Sequence, residues 1–157
     1  MELDKFDRLL LNLVQEDAGR TSDSLAEQVP LSPSAIQRRL RKLKDGGIIQ
    51  REIAVLDPRK ADRPVIFIVG LEVERERPEL LAELRRWLSK EEQVQQAYYV
   101  TGETDFVVVI ASPDTTSYDE LMTRLVEDNP NVKRFTTNVA LSVVKRGLTL
   151  RMAEDDG

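Results

Sequence analysis

Between Asp57 and Pro64 (DPRKADRP) the chain changes its hydrophobic period, and that change restricts the fold more than any other feature of the sequence. Ahead of it, apolar residues recur every three or four positions, as on amphipathic helices. Beyond it, β-branched runs that are continuous or alternating are interleaved with helical stretches. A charged segment bracketed by prolines is the composition that joins separately folded units. The sequence therefore divides into residues 1–56, a linker over 57–64 and residues 65–157.

In the first part, Leu3, Phe6, Leu10, Leu13 and Val14 put one apolar face on a helix over Leu3–Glu16, which Ala18-Gly19-Arg20 ends. Thr21-Ser22-Asp23 offers capping side chains for a short helix over Ser24–Val29, stopped by Pro30. Ser32-Pro33 then starts a third helix, Pro33–Lys44: a hydroxyl to cap the first free N–H groups, and a proline where no N–H is missed. Gly46-Gly47 closes it. Ile48–Leu56 (IIQREIAVL) reads as wing strands, so the first part is expected to be a winged helix-turn-helix of three helices plus a wing.

The third helix has two faces. Ile36, Leu40 and Leu43 form a stripe for the core, whereas Ser34, Gln37, Arg38, Arg41 and Lys44 project elsewhere. The net charge of −5 conceals a local imbalance. Residues 1–60 hold 11 Lys and Arg against 10 Asp and Glu, residues 61–157 hold 12 against 18, and Ser32–Lys44 holds five basic residues and no acidic one. A basic helix about 18 Å long fits a major groove about 12 Å wide. Ser34, Gln37 and Arg38, near its start, are the candidates for base edges, and Arg41, Lys42 and Lys44 the candidates for phosphates; Ser32 and Arg39 complete the expected DNA-binding set. The plainer alternative is a solvated helix face; the tight turn and the preceding short helix favour reading of double-stranded DNA.

The second part alternates in type. Val65–Val73 is a buried strand and Glu79–Leu88 a helix. Val94–Val100 and Phe106–Ala111 form a hairpin around Thr-Gly-Glu-Thr-Asp, Tyr118–Leu125 is a helix, and Val132–Val144 is a long last strand. The order β-α-β-β-α-β predicts a ferredoxin-like antiparallel sheet with both helices on one face, an α+β fold overall. Because Val65–Val69 and Phe106–Ile110 are apolar on both sides, the uncovered face is expected to be buried by another copy of the chain. A homodimer would also place two recognition helices about 34 Å apart for two half-sites.

Composition narrows the chemistry. With no cysteine and no histidine, the chain lacks a disulfide framework, the commonest general base and the commonest transition-metal ligands. No cofactor is expected and no enzymatic activity. No apolar run reaches the roughly 18 residues of a membrane span, and MELDKFD is acidic where a secretory signal is basic, so a cytoplasmic protein is expected.

The motifs LDKFDRLLLNLVQEDAGR, LSPSAIQRRLRKLKDGGII and VLDP, in that order, resemble the helix-turn-helix signature of the Lrp/AsnC (leucine-responsive/asparagine regulator) family. VTGETDFVVVI and TTNVALSVVK resemble that family's effector-sensing domain. The resemblance covers nearly the whole chain. It implies a transcriptional regulator that binds DNA as a dimer, often assembled into tetramers or octamers, and responds to an amino acid or related small-molecule effector held between dimers. By matching position it implies that Gly102, Glu103, Thr104 and Asp105 border the effector pocket and that Thr137 lies nearby. Thr104 departs from the pattern, which is frequently aromatic there, and so puts the usual ligand in question. Asp105 could accept from an effector ammonium while loop N–H groups hold its carboxylate. Alternatively, Gly102 serves only a positive φ and Asp105 only a turn.

Other readings follow from the same residues. Sirohaem decarboxylases resemble this family in fold, but their histidine chemistry is unavailable to this chain. RNA-recognition motifs share the strand order and stack bases on strand aromatics, yet GETDFVVV stands where a basic, glycine- and aromatic-rich run is needed. An architectural DNA-binding protein without effector remains open.

Overall fold

The computed structural model describes residues 2–57, 60–61 and 65–153. Its contacts form two units: residues up to Val55 together with the segment from Lys145 onward, and Leu56–Val144. The segment from Lys145 thus packs with the first unit, whereas the sequence division places it in the second.

In the first unit, α1 (Lys5–Glu16) starts at Asp4, whose carboxylate accepts the N–H groups of Phe6 and Asp7 at 2.9 Å each. Asp7 returns the favour, accepting the Asp4 N–H at 3.3 Å, so three N–H groups at the start of the helix are satisfied, those of Asp4 and Asp7 reciprocally. The second helix, α2 (Ser22–Ala26), is capped by Thr21. It begins two residues before the expected start because the first of the three capping candidates does the capping. Helix α3 (Pro33–Asp45) is capped by the Ser32 hydroxyl, which accepts from Ala35, and ends where Gly47 takes φ +72°. Leu10, Leu13, Leu25, Val29 and Ile36 form the shared core.

Ile48–Leu56 forms no strand, contrary to the expected wing. Ile53, Val55 and Leu56 are exposed, and with no neighbouring strand among the described residues an extended segment has no ladder to join.

The second unit follows the predicted order: β1 (Val65–Val73), α4 (Pro78–Lys90), β2 (Val94–Tyr99), β3 (Phe106–Ser112), α5 (Thr115–Asp128) and β4 (Val132–Val139). The sheet runs β2-β3-β1-β4, every neighbour antiparallel. On one face, Phe67, Val69, Leu71, Phe106, Val108 and Ile110 pack against Leu81, Leu84, Leu88, Leu121 and Leu125 of the two helices. Helix α5 begins three residues before the expected start because Asp114 caps it, accepting the Ser117 N–H at 2.7 Å. The last strand stops at Val139, five residues short of the expected end. Ala140 makes a last ladder bond to the Ile66 carbonyl, one residue from the start of β1.

The opposite face follows from register. Ile66 and Ile68 alternate with the buried residues of β1, Val107 and Val109 with those of β3, and Tyr98 pairs with Val107. Ile68 is 41% exposed and Tyr98 50%, so the apolar stripe read from the sequence is open in the single chain.

Candidate functional site

Helix α3 presents Ser34, Gln37, Arg38, Arg41, Lys42 and Lys44 to solvent, while Ile36 and Leu43 are fully buried. Side chains at positions 34, 37, 38 and 41 recur at helical spacing, so one outward face carries two hydrogen-bonding groups and two guanidinium groups. Among the described residues Arg38, Arg41 and Lys42 enter no ion pair, and no carboxylate interrupts the helix before Asp45. Lys44 differs, with its ammonium 2.9 Å from Glu52 Oε1.

Two of the expected DNA-binding residues are engaged within the fold. Ser32 spends its hydroxyl on the helix cap, within 3.2 Å of the Ser34 hydroxyl. Arg39 points back to α1: its Nη1 lies 2.7 Å from Asp7 Oδ1 and 2.8 Å from Asp4 Oδ2, and its guanidinium carbon stands 5.6 Å from the Phe6 ring centre. The Asp7 N–H, and then Arg39, hold the Asp4 carboxyl below its ordinary range. The same bonds, to Asp7 first and Asp4 second, raise the Arg39 guanidinium. Arg39 therefore fixes the third helix against the first.

In the second unit, the loop between β2 and β3 is anchored at its end. The Asp105 N–H donates to Leu71 at 2.9 Å, the Asp105 carbonyl accepts from Val100 at 2.9 Å, and Asp105 Oδ2 accepts the Val73 N–H at 2.7 Å. Asp105 Oδ1 makes no hydrogen bond among the described residues. Gly102 takes φ +127°, a conformation other residues rarely adopt, and Glu103 is exposed. Both functions weighed for Gly102 and Asp105, turn geometry and ligand contact, thus begin from the same geometry, with the turn already in place.

Thr104 folds onto the open face of the sheet. A Cβ built on Gly70 would stand 2.7 Å from Thr104 Cγ2 and 2.9 Å from Thr136 Oγ1, so the bare glycine is what makes room for the threonine methyl. Thr137, paired with Val69, lies on the other face, where its hydroxyl hydrogen-bonds the Tyr118 hydroxyl. Tyr118 stacks on Phe67 with ring centres 3.8 Å apart, and burial raises its phenol while the Thr137 bond acts the other way. The structure brings Gly102, Glu103, Thr104 and Asp105 together and separates Thr137 from Thr104. Thr136 and Gly70 take the neighbouring positions; a lone glycine within VIFIVGLEV signalled a close approach in that strand. A cleft of about 360 Å³ lined by Glu74, Arg75, Glu83, Asn129 and Asn131 contains none of the loop residues.

No described helix is long and apolar enough to cross a membrane, and the described residues contain no cluster of potential metal ligands. Residues 3–50 match the winged helix-turn-helix DNA-binding family, and residues 66–150 match the Lrp/AsnC ligand binding domain. An uncharacterised HTH-type transcriptional regulator of Sinorhizobium fredii is 38% identical over 145 residues, covering 92% of this chain and 86% of its own length. The leucine-responsive regulatory protein of Escherichia coli is 29% identical over 145 residues, covering 92% and 88%. Among solved structures, an AsnC family transcriptional regulator from Agrobacterium tumefaciens superposes with a TM-score of 0.85 at 27% identity, covering 94% of this chain and 96% of the other. A transcriptional regulator from Neisseria meningitidis in complex with L-methionine gives 0.84 at 26% identity, covering 95% and 96%. With its helix-turn-helix, its βαββαβ unit and these matches across both, the chain belongs to the Lrp/AsnC family of DNA-binding transcriptional regulators.

Proposed function

We propose that this regulator reads specific DNA sequences with α3 and changes its DNA binding or its assembly when a small metabolite of the amino-acid class binds. Residues 1–56 then serve as the reading domain, 57–64 as linker, and 65–157 for sensing and oligomerisation, with the segment from Lys145 packing back on the reading domain. The observation that carries the reading is the exposed, carboxylate-free face of α3, with Ser34, Gln37 and Arg38 toward its start and Arg41 and Lys42 further along. Hydrogen-bonding side chains near the start suit base edges, and the later cations suit phosphates.

The effector reading rests on the loop. Gly102 and Glu103 leave backbone N–H groups at the surface for a carboxylate, Asp105 Oδ1 is available to an ammonium, and the Neisseria relative was solved with L-methionine. In a single chain this loop is open, which accords with a pocket closed by a neighbouring copy. Two chains meeting across the Ile68 and Val109 face form the dimer, and further pairing gives tetramers or octamers. An effector that binds one assembly more tightly shifts the population toward it. The protein is proposed to act in the cytoplasm, without cofactor and without catalysis.

The test is a footprint of genomic DNA followed by titration of one bound site. Arg38→Ala is expected to weaken binding and relax sequence preference, whereas Lys42→Ala lowers affinity for all sequences. Undiminished binding in both variants refutes the assignment of α3. Calorimetry against a panel of amino acids tests the sensor, and absence of heat with every member leaves an architectural DNA-binding role in its place.

A further inference from the structure

Two carboxamides on the outer side of α1 are engaged in an unusual way. Asn12 Nδ2 donates to the Met152 carbonyl at 3.2 Å, and Asn12 Oδ1 accepts the Met152 N–H at 2.8 Å. One turn later, Gln15 Nε2 donates to the Leu150 carbonyl at 2.9 Å, and Gln15 Oε1 accepts the Leu150 N–H at 2.7 Å. Each side chain thus meets both main-chain groups of a single residue, the exchange that a residue on a neighbouring β-strand would make.

The spacing fits. Residues two apart in an extended chain turn their N–H and C=O groups to the same side, about 6.6 Å apart. Residues three apart on a helix advance about 4.5 Å along one face, and the extra methylene of glutamine spans the difference. Side chains contribute little: Leu150 is 71% exposed while its backbone is fully engaged.

We propose that Asn12 and Gln15 form a site for extended main chain, whose occupant is the Leu150–Met152 segment of the same chain. The consequence follows from connectivity. The chain leaves the first unit near Val55 and re-enters it at Lys145, after the whole second unit. With residues 150 and 152 held on α1, the reading unit is tied to the sensing unit by two strands of chain instead of one. A shift of β4 on effector binding can then reach α1 through the residues after Val139 as well as through the linker. This consequence rests on the function proposed above; the docking itself does not.

Hydrogen exchange on the full-length protein tests the docking without DNA or effector. The Leu150 and Met152 amides are expected to be protected, and Asn12→Ala/Gln15→Ala to exchange them about tenfold faster or more while amides of the α1–α3 core keep their rates. Leu150→Pro, which removes one donor from the segment and leaves α1 intact, is expected to expose Met152 likewise, whereas Leu150→Ala keeps protection. Exchange in the unaltered protein as fast as in a free peptide overturns the proposal, whatever the protein does with DNA. So does restored protection on mixing the Asn12→Ala/Gln15→Ala protein with the Leu150→Pro protein, since only a segment crossing between copies could dock there. Loss of DNA binding in the unaltered protein, with Leu150 and Met152 still protected, refutes the function and spares the site.

Discussion

Arg39 of α3 donates to Asp7 of α1 across 2.7 Å, and the two residues are 32 positions apart in sequence. The Asp7 side chain is only 12% exposed, so the carboxylate depends on this partner in place of water. Replacing Arg39 with Ala is expected to destabilise the reading unit by roughly 1–3 kcal/mol, measured by urea denaturation, because the nearly buried Asp7 side chain loses its donor. Asp4 adds a pH dependence. Its carboxyl is held below the ordinary value of 3.8, chiefly by the Asp7 N–H, so its stabilising effect is present in full above that value and disappears as pH falls through the lower folded-state value. An acid titration of stability is therefore expected to fall off below about pH 3.8 in the native protein, and less steeply in Arg39→Ala. Identical acid profiles would remove Arg39 from this role.

Lys44 is held by Glu52 at 2.9 Å, an ion pair with both side chains nearly half exposed. Such a pair contributes little to stability but withdraws a cation from phosphate. Glu52→Gln is expected to leave the melting temperature nearly unchanged and to tighten binding to any duplex. The logarithmic dependence on salt should steepen by about 0.9, one additional phosphate contact. An unchanged slope would mean that Lys44 does not reach DNA.

The open sheet face offers a direct test of assembly. Ile68→Glu places a charge at the centre of the apolar stripe without touching the helix-packed core, since Ile68 is already 41% exposed in one chain. Sedimentation is expected to show a folded monomer at concentrations where the native protein associates. A variant that still associates as the native protein does would move the interface elsewhere.

At Gly70, addition of a single methyl is expected to destabilise the sensing unit by about 1–3 kcal/mol through its 2.7 Å approach to Thr104 Cγ2 and its 2.9 Å approach to Thr136 Oγ1. Thr104→Ala removes the first of these neighbours, so the double variant is expected to be less destabilised than the separate effects added together. Simple additivity in thermal denaturation would show that the two side chains do not share the space.

The sequence displayed the alternation of helix and strand clearly because that information is local. Ser32-Pro33 announced the start of α3 through its own chemistry, and the two-sided apolarity of Val65–Val69 announced an uncovered sheet face. What escaped depends on distant partners. Arg39 looked like its neighbours on a basic helix until Asp4 and Asp7 came within reach. The strand beginning at Val132 reads as longer than it is, since its length depends on how far it pairs with β1, whose partner at its end is Phe67, and not on its own apolar residues. Likeness alone puts Thr137 near the effector pocket. In a strand, one position decides the face, and it is Thr136 that shares the face carrying Thr104. The pairing of Asn12 and Gln15 with residues some 140 positions away leaves no local trace at all.

The glycine floor beneath Thr104 also bears on how a sensor of this kind could acquire a new preference by descent. Any larger group at position 70 closes the hollow, and only then does the outcome of a change at position 104 depend on what lies below it. The order of substitutions consequently matters: a lineage that fills position 70 first forfeits routes at position 104 that remain accessible while the glycine stands.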